Sequence, residues 1–185
     1  AECRFPISFH STGFKAARAP DTPEMEKEYA IQYRLVRSAL FQTDTMEVLV
    51  SLLASGACEK YPDFNFVLGE SGVTWLPNFL TDADNKWKGL RREVPWVTEL
   101  PSTIVRRHVR LTSQPFDAPA TAEHFTKILR MMGSDQMLLF ATDYPHWQFD
   151  GTDPFPTGID AGQRERLTQI NPLATYERLA VRDKQ

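Results

Sequence analysis

Four short apolar runs punctuate the chain, and each gives way to a stretch with helical spacing. They are Phe5-Pro6-Ile7-Ser8-Phe9-His10, Phe64-Asn65-Phe66-Val67-Leu68 leading into Gly69-Glu70, Val105 to Thr112, and Met137-Leu138-Leu139-Phe140-Ala141 ending at Thr142-Asp143. Near-continuous apolar runs of this length suit strands covered on both faces, as in parallel sheets. The third run is the weakest, because charged residues alternate with Val109 and Leu111. Between the runs, Met46, Leu49, Val50, Leu53 and Ala57 follow a helical stripe, with Asp44 and Glu47 placed as an N-terminal capping pair. Phe125, Ile128, Leu129 and Met132 repeat the pattern, with Thr121 as N-cap and Gly133 as the stop. The spacing also predicts a helix over Glu24 to Phe41 and a last one starting at Asn171-Pro172, a cap followed by proline in the first turn.

Strands alternating with helices imply right-handed crossovers and a parallel sheet. A closed (β/α) barrel of TIM type needs eight strands and roughly 250 residues. The expected fold is therefore α/β, about half of such a barrel, with residues 1–185 as one unit and no second domain.

Composition narrows the partners. A net charge of -3 supplies no basic stripe for phosphates, so nucleic acid is not an expected partner. No apolar stretch approaches the roughly 20 residues that cross a bilayer, and Ala1-Glu2-Cys3-Arg4 does not read as a signal peptide. The two cysteines, Cys3 and Cys58, are far apart and in no metal-binding spacing, which fits free thiols in a reducing cytoplasm.

Chemistry is expected where strands end. His10 closes the first run, Glu70 follows the second and Asp143 follows the fourth. In parallel α/β architectures the carboxyl ends of the strands form the active-site rim. Imidazole and carboxylate suit Zn2+ or a similar divalent ion. Each residue also has a bland reading: a hydrogen-bonded structural histidine, a carboxylate capping a helix that begins near Val73-Thr74, and a turn residue before Tyr144-Pro145. Their shared strand-end position is what favours a site.

The stretch Lys60 to Pro77, containing Phe66-Val67-Leu68-Gly69-Glu70-Ser71-Gly72, resembles the sixth-strand region of the amidohydrolase-related family, which includes aminocarboxymuconate-semialdehyde decarboxylase and aromatic-acid decarboxylases. Arg4 to His10 is similar to its fifth strand, Arg106 to Thr112 to its seventh, and Phe140-Ala141-Thr142-Asp143-Tyr144-Pro145-His146-Trp147 to its eighth-strand signature, where serine is commoner at the position of Thr142. Ile170 to Leu179 resembles its closing helix.

The resemblance implies the C-terminal half of a barrel, with His10 and Asp143 as catalytic and metal-binding residues and Glu70 as a further ligand. Glu70 stands where the decarboxylase branch often has histidine. His146, Trp75 and Trp147 would line the pocket, the tryptophans equally being packing residues. The cofactor implied is a divalent metal, zinc being the expected ion. The substrate would be a small organic acid, ester or amide, acted on by hydrolysis or decarboxylation. Arg106 and Arg107 either bind a substrate carboxylate or form a solvated basic edge.

The family's first strand supplies a His-x-His pair, which the four histidines His10, His108, His124 and His146 do not form. His108 and His124 are expected at the surface. An upstream half of the barrel is accordingly expected to be missing from the chain, which alone would be inactive. The competing expectation is a non-catalytic half-barrel that binds a ligand or pairs with another copy.

Overall fold

The computed structural model describes residues 5–10, 23, 41–114, 117–145, 153–155 and 157–180. Four parallel strands, β1 (Ile7–His10), β2 (Phe66–Gly69), β3 (Val109–Thr112) and β4 (Leu138–Leu139), lie side by side in chain order. Between β1 and β2 come α1 (Phe41–Ala54) and α2 (Ala57–Lys60). Helices α3 (Leu76–Leu90) and α4 (Pro101–His108) join β2 to β3, and α5 (Ala122–Met132) joins β3 to β4. After β4 the path runs through α6 (Ala161–Glu165), a π-helical turn (Arg166–Ile170), α7 (Asn171–Thr175) and α8 (Glu177–Ala180). The expected parallel βα succession is what the chain adopts.

The two faces of the sheet differ, and register shows how. Phe66 is level with Val109 and Leu68 with Leu111, which is itself level with Leu138. Because side chains alternate along a strand, these residues share one face, where they join Leu49, Leu76, Leu80, Ile104, Val105, Phe125 and Met132 of the helices in a single core. The opposite face carries Ser8, His10, Val67, Gly69, Arg110, Thr112 and Leu139. We call it the inner face.

Local chemistry sets the boundaries. Thr121 caps α5 by accepting from the His124 N–H, and Gly133, at φ 70°, ends it, as the sequence led one to expect. Val105, read as the start of the third strand, instead belongs to α4. Pro101 opens that helix, and Ile104, Val105 and His108 form its buried side. His108 is thus not at the surface: it is 2% exposed, and its Nδ1 donates to the Phe64 carbonyl at 2.9 Å. His124 is exposed, as expected.

Helix α1 already includes Phe41, ahead of the expected Asp44 cap, and Val50 lies off its buried stripe. Most of the predicted helix over Glu24 to Phe41 lies outside the described residues. The last helix was expected to start at Asn171. A helix does start there, Asn171–Thr175 with Pro172 in its first turn, but Asn171 is not its cap: it continues a helical path begun at Ala161, where Asp160 and Gln163 make a reciprocal capping box. Pro172 has no N–H to give to a helical ladder, and the π-helical turn just before it absorbs the interruption. The side chain of Asn171 turns to the sheet instead. Its Nδ2 donates to the carbonyls of Asp135 and Leu138, both at 2.9 Å, and the Phe140 N–H donates to the Leu167 carbonyl, so this segment seals the outer edge of β4.

Cys58 is buried in the same core, and burial pushes its thiol up from 9.0 to about 11, with Glu59 adding to the shift and Arg107 opposing it. The folded protein therefore holds this proton more tightly than the unfolded chain. The resulting stability is whole below pH 9 and is lost as pH rises from 9 to 11. It amounts to about 1–2 kcal/mol after allowance for solvent screening. The Cys58→Ala variant should flatten the fall of melting temperature across that window, and native Cys58 should react with thiol reagents only slowly near pH 8.

Candidate active site at the strand tips

All four strands point the same way, so the residues at their carboxyl ends share one edge of the sheet. His10 is the last residue of β1 and is level with Gly69. Glu70 comes next, and its Oε1 stands 2.9 Å from His10 Nε2. A carboxylate in that place fixes the imidazole tautomer with its proton on Nε2. The pair is open to water, with side chains 59% and 29% exposed, so its contribution to stability is small.

Backbone conformation sets Glu70 apart. Among the described residues, the only non-glycine residues with positive φ are Glu70 at 52° and Asp143 at 57°. The left-handed region costs an L-residue with a Cβ about 1–2 kcal/mol, and such strain persists where surrounding structure enforces it. For Glu70 the enforcing contact is Thr112, at the tip of β3, whose Oγ1 accepts the Glu70 N–H at 2.9 Å. At the next strand pair, Ser113 Oγ donates to the Ala141 carbonyl and accepts its N–H, tying β3 to the segment that carries Asp143. Neither hydroxyl stood out in the sequence, because each acts on a partner 42 or 28 residues away.

Glu70 does not cap the following helix. Asp117 instead holds the turn before α3, its carboxylate accepting from the N–H groups of Val73 and Thr74 and from the Thr74 hydroxyl. Gly72, at φ 67°, makes room for it: a Cβ there would stand 2.8 Å from the Asp117 carboxyl carbon.

The other expected site residues are placed differently. Trp75 is buried in the core, edge-on to Phe79, and its indole N–H donates to the carbonyls of Ser71 and Gly72. It packs the start of α3. His146 and Trp147 lie outside the described residues. Arg106 donates to the Met132 carbonyl and to Ser102 Oγ, and Arg107 pairs with Glu99. Both are engaged within the protein.

His10 and Glu70 are thus in contact, and Asp143 follows the end of β4 by four residues. As donors, one imidazole and two carboxylates have the right chemistry for a divalent ion. Their grouping falls short: among the described residues, no three His, Cys, Asp or Glu side chains are close enough together to hold a metal ion. Four ligands complete a tetrahedral site, so these residues do not by themselves fit one.

Consecutive βα units with strained acidic residues at the strand tips define an arc of an α/β-barrel enzyme scaffold. Residues 1–178 match the amidohydrolase family, and the chain belongs to it. No curated protein matches the sequence. Among solved structures, an amidohydrolase of Mycobacterium avium subsp. paratuberculosis shares 16% identity at a TM-score of 0.65, over 95% of this chain and 43% of that one. A dihydroxybenzoic acid decarboxylase of Polaromonas, with bound manganese and 2-nitroresorcinol, shares 18% at a TM-score of 0.62, over 95% and 51%. A 2,6-dihydroxybenzoate decarboxylase of Rhizobium shares 18% at 0.61, over 95% and 52%. At these identities the likeness is one of fold: this is part of a TIM-type barrel. The chain spans about half the length of the structures it matches. Among the described residues no helix is long and apolar enough to cross a membrane.

Proposed function

We propose that the chain contributes the C-terminal half of a metal-dependent, cytoplasmic amidohydrolase-type enzyme that hydrolyses or decarboxylates a small organic acid, ester or amide. The observation that carries this reading is the left-handed backbone at Glu70 and Asp143, the only non-glycine residues with positive φ among those described, because strain of this kind concentrates where carboxylates are aimed for chemistry. His10, Glu70 and Asp143 would be donors to a divalent ion, zinc being the ion proposed here, although the Polaromonas relative holds manganese. The remaining donors would come from a preceding half of the barrel or from another copy. Such an ion supplies Lewis acidity.

Glu70 orients the His10 ring, and Asp143 takes up and returns a proton at the reacting atom. His146 and Trp147 would flank the substrate.

A second reading is a non-catalytic half-barrel that binds a ligand or assembles with another chain. It is favoured by the lack of a three-donor group among the described residues. One experiment separates the two. The complete barrel containing these residues is assayed for carbon dioxide release from hydroxybenzoates and for hydrolysis of small esters, amides and lactones. The assay is run before and after dialysis against a chelator, then with zinc or manganese restored. Turnover that disappears with the metal and returns with it is the expected result. Turnover indifferent to the chelator, or none on either panel from metal-replete protein, sinks the enzymatic reading.

A further inference from the structure

At the other end of the sheet from His10 and Glu70 lies a cavity of about 560 Å³, within the roughly 300–1,000 Å³ usual for small-molecule sites. Pro6, just before β1, and Asn65, just before β2, belong to its lining. Asn65 and Glu70 flank the four residues of β2, which puts about 16 Å between them along the strand. The C-terminal segment lines the cavity through Thr175, the last residue of α7, and Glu177, the first of α8. Thr175 is 3% exposed, and its hydroxyl has no hydrogen-bond partner among the described residues. A buried hydroxyl without a partner is costly, and this one borders a space that a ligand can enter. The rest of the lining indicates which kind. Asp63 and Glu177 are exposed acids that enter no ion pair or hydrogen bond among the described residues. Lys60, the one base among the lining residues, is turned to the Tyr61 ring, 5.4 Å from its centroid. Arg178 lies 4.6 Å from the centroid of Phe5, another lining residue. Ring faces at this cavity thus already draw cations.

We propose that this cavity is a binding site separate from the strand tips, which takes a small aromatic amine in its protonated form. An ammonium has three N–H donors and no acceptor. The cavity offers it two unpaired carboxylates, those of Asp63 and Glu177, and the oxygen of the Thr175 hydroxyl. Tyr61 and Phe64, with ring centroids 6.5 Å apart, give the aromatic body of the ligand an apolar wall. None of His10, Glu70 and Asp143 lines the cavity.

The probes are benzylamine, its neutral analogue benzyl alcohol and the anion benzoate, titrated into the 185-residue chain and followed by amide NMR shifts. Benzylamine should bind and move the signals of residues 60–65 and 175–177, with the other two probes at least about tenfold weaker. The Thr175→Val variant keeps the shape of the side chain without its hydroxyl and should weaken benzylamine by about threefold or more. The double variant Asp63→Asn/Glu177→Gln should weaken it by about tenfold. Both acids are exposed, so this variant leaves the fold intact, and it decides alone should T175V fail to fold. No benzylamine binding, equal affinity for benzyl alcohol, tighter binding of benzoate, or parent affinity in either folded variant overturns the proposal. So do shifts confined to the surroundings of His10 and Glu70. The readout is binding, so the result stands apart from the enzymatic reading.

Discussion

Leu68→Ala is expected to lower the unfolding free energy by about 3–5 kcal/mol. Leu68 lies in β2, paired on both sides by neighbouring strands, and is fully buried. It is level with Leu111 on one side and Phe9 on the other, and it belongs to the core that the sheet shares with the helices. Truncation removes apolar area from that core and leaves a cavity that strands tied on both edges cannot close. Urea unfolding followed by circular dichroism would read the loss as a lower midpoint with an unchanged slope. A loss below about 1 kcal/mol would mean that the sheet and helices do not share one core. The same truncation at Val50, half-exposed on α1, should move the midpoint little, since surface changes usually stay within about 0.5 kcal/mol.

Where one kind of signal acted alone, the sequence could be read. Strands β2 and β4 announce themselves because a parallel strand buried on both faces is a short apolar run with a sharp end, and β1 does so by the same kind of run although most of its residues are exposed. Helix α5 does so because a cap, a stripe and a glycine agree. The reading failed where two signals competed. Val105 to Thr112 holds the end of a helix and a whole strand, both buried, and no change of hydropathy marks the passage at Val109. Asn171 looks like a helix cap because asparagine and proline coincide; a helix does start there, but the asparagine side chain is committed to the edge of β4.

The candidate site was half legible for the same reason. Strand-end position singled out His10, Glu70 and Asp143, since parallel topology alone brings strand ends to one edge. The left-handed backbone of the two carboxylates and the support from Thr112 and Ser113 depend on contacts between distant segments. Composition and periodicity carry no trace of these. Trp75 shows the same: pocket lining and packing are equal readings from the sequence, and only the structure shows its indole N–H on the backbone of its own turn.

Glu70→Gln should separate function from stability more sharply than any other single change at the strand tips. The amide keeps the size and shape of the carboxylate but neither its charge nor its ability to move a proton. Both partners in the His10–Glu70 contact are open to water. Losing the charge should therefore alter the unfolding free energy by less than about 1 kcal/mol. In the proposed enzyme the same substitution removes the group that orients the His10 imidazole. Turnover by the complete barrel should then fall by about 10²–10⁴-fold. The loss should appear in kcat more than in KM, because an orienting carboxylate acts on the reacting geometry and not on substrate capture. The Thr112→Val variant should reproduce part of that loss with the carboxylate intact, since it removes the acceptor for the Glu70 N–H that holds the residue in its left-handed conformation. Denaturant curves and initial rates on the same preparations measure both quantities. Near-normal kcat in Glu70→Gln beside unchanged stability would leave Glu70 an ordinary surface acid, and the strain at its backbone would then need another cause.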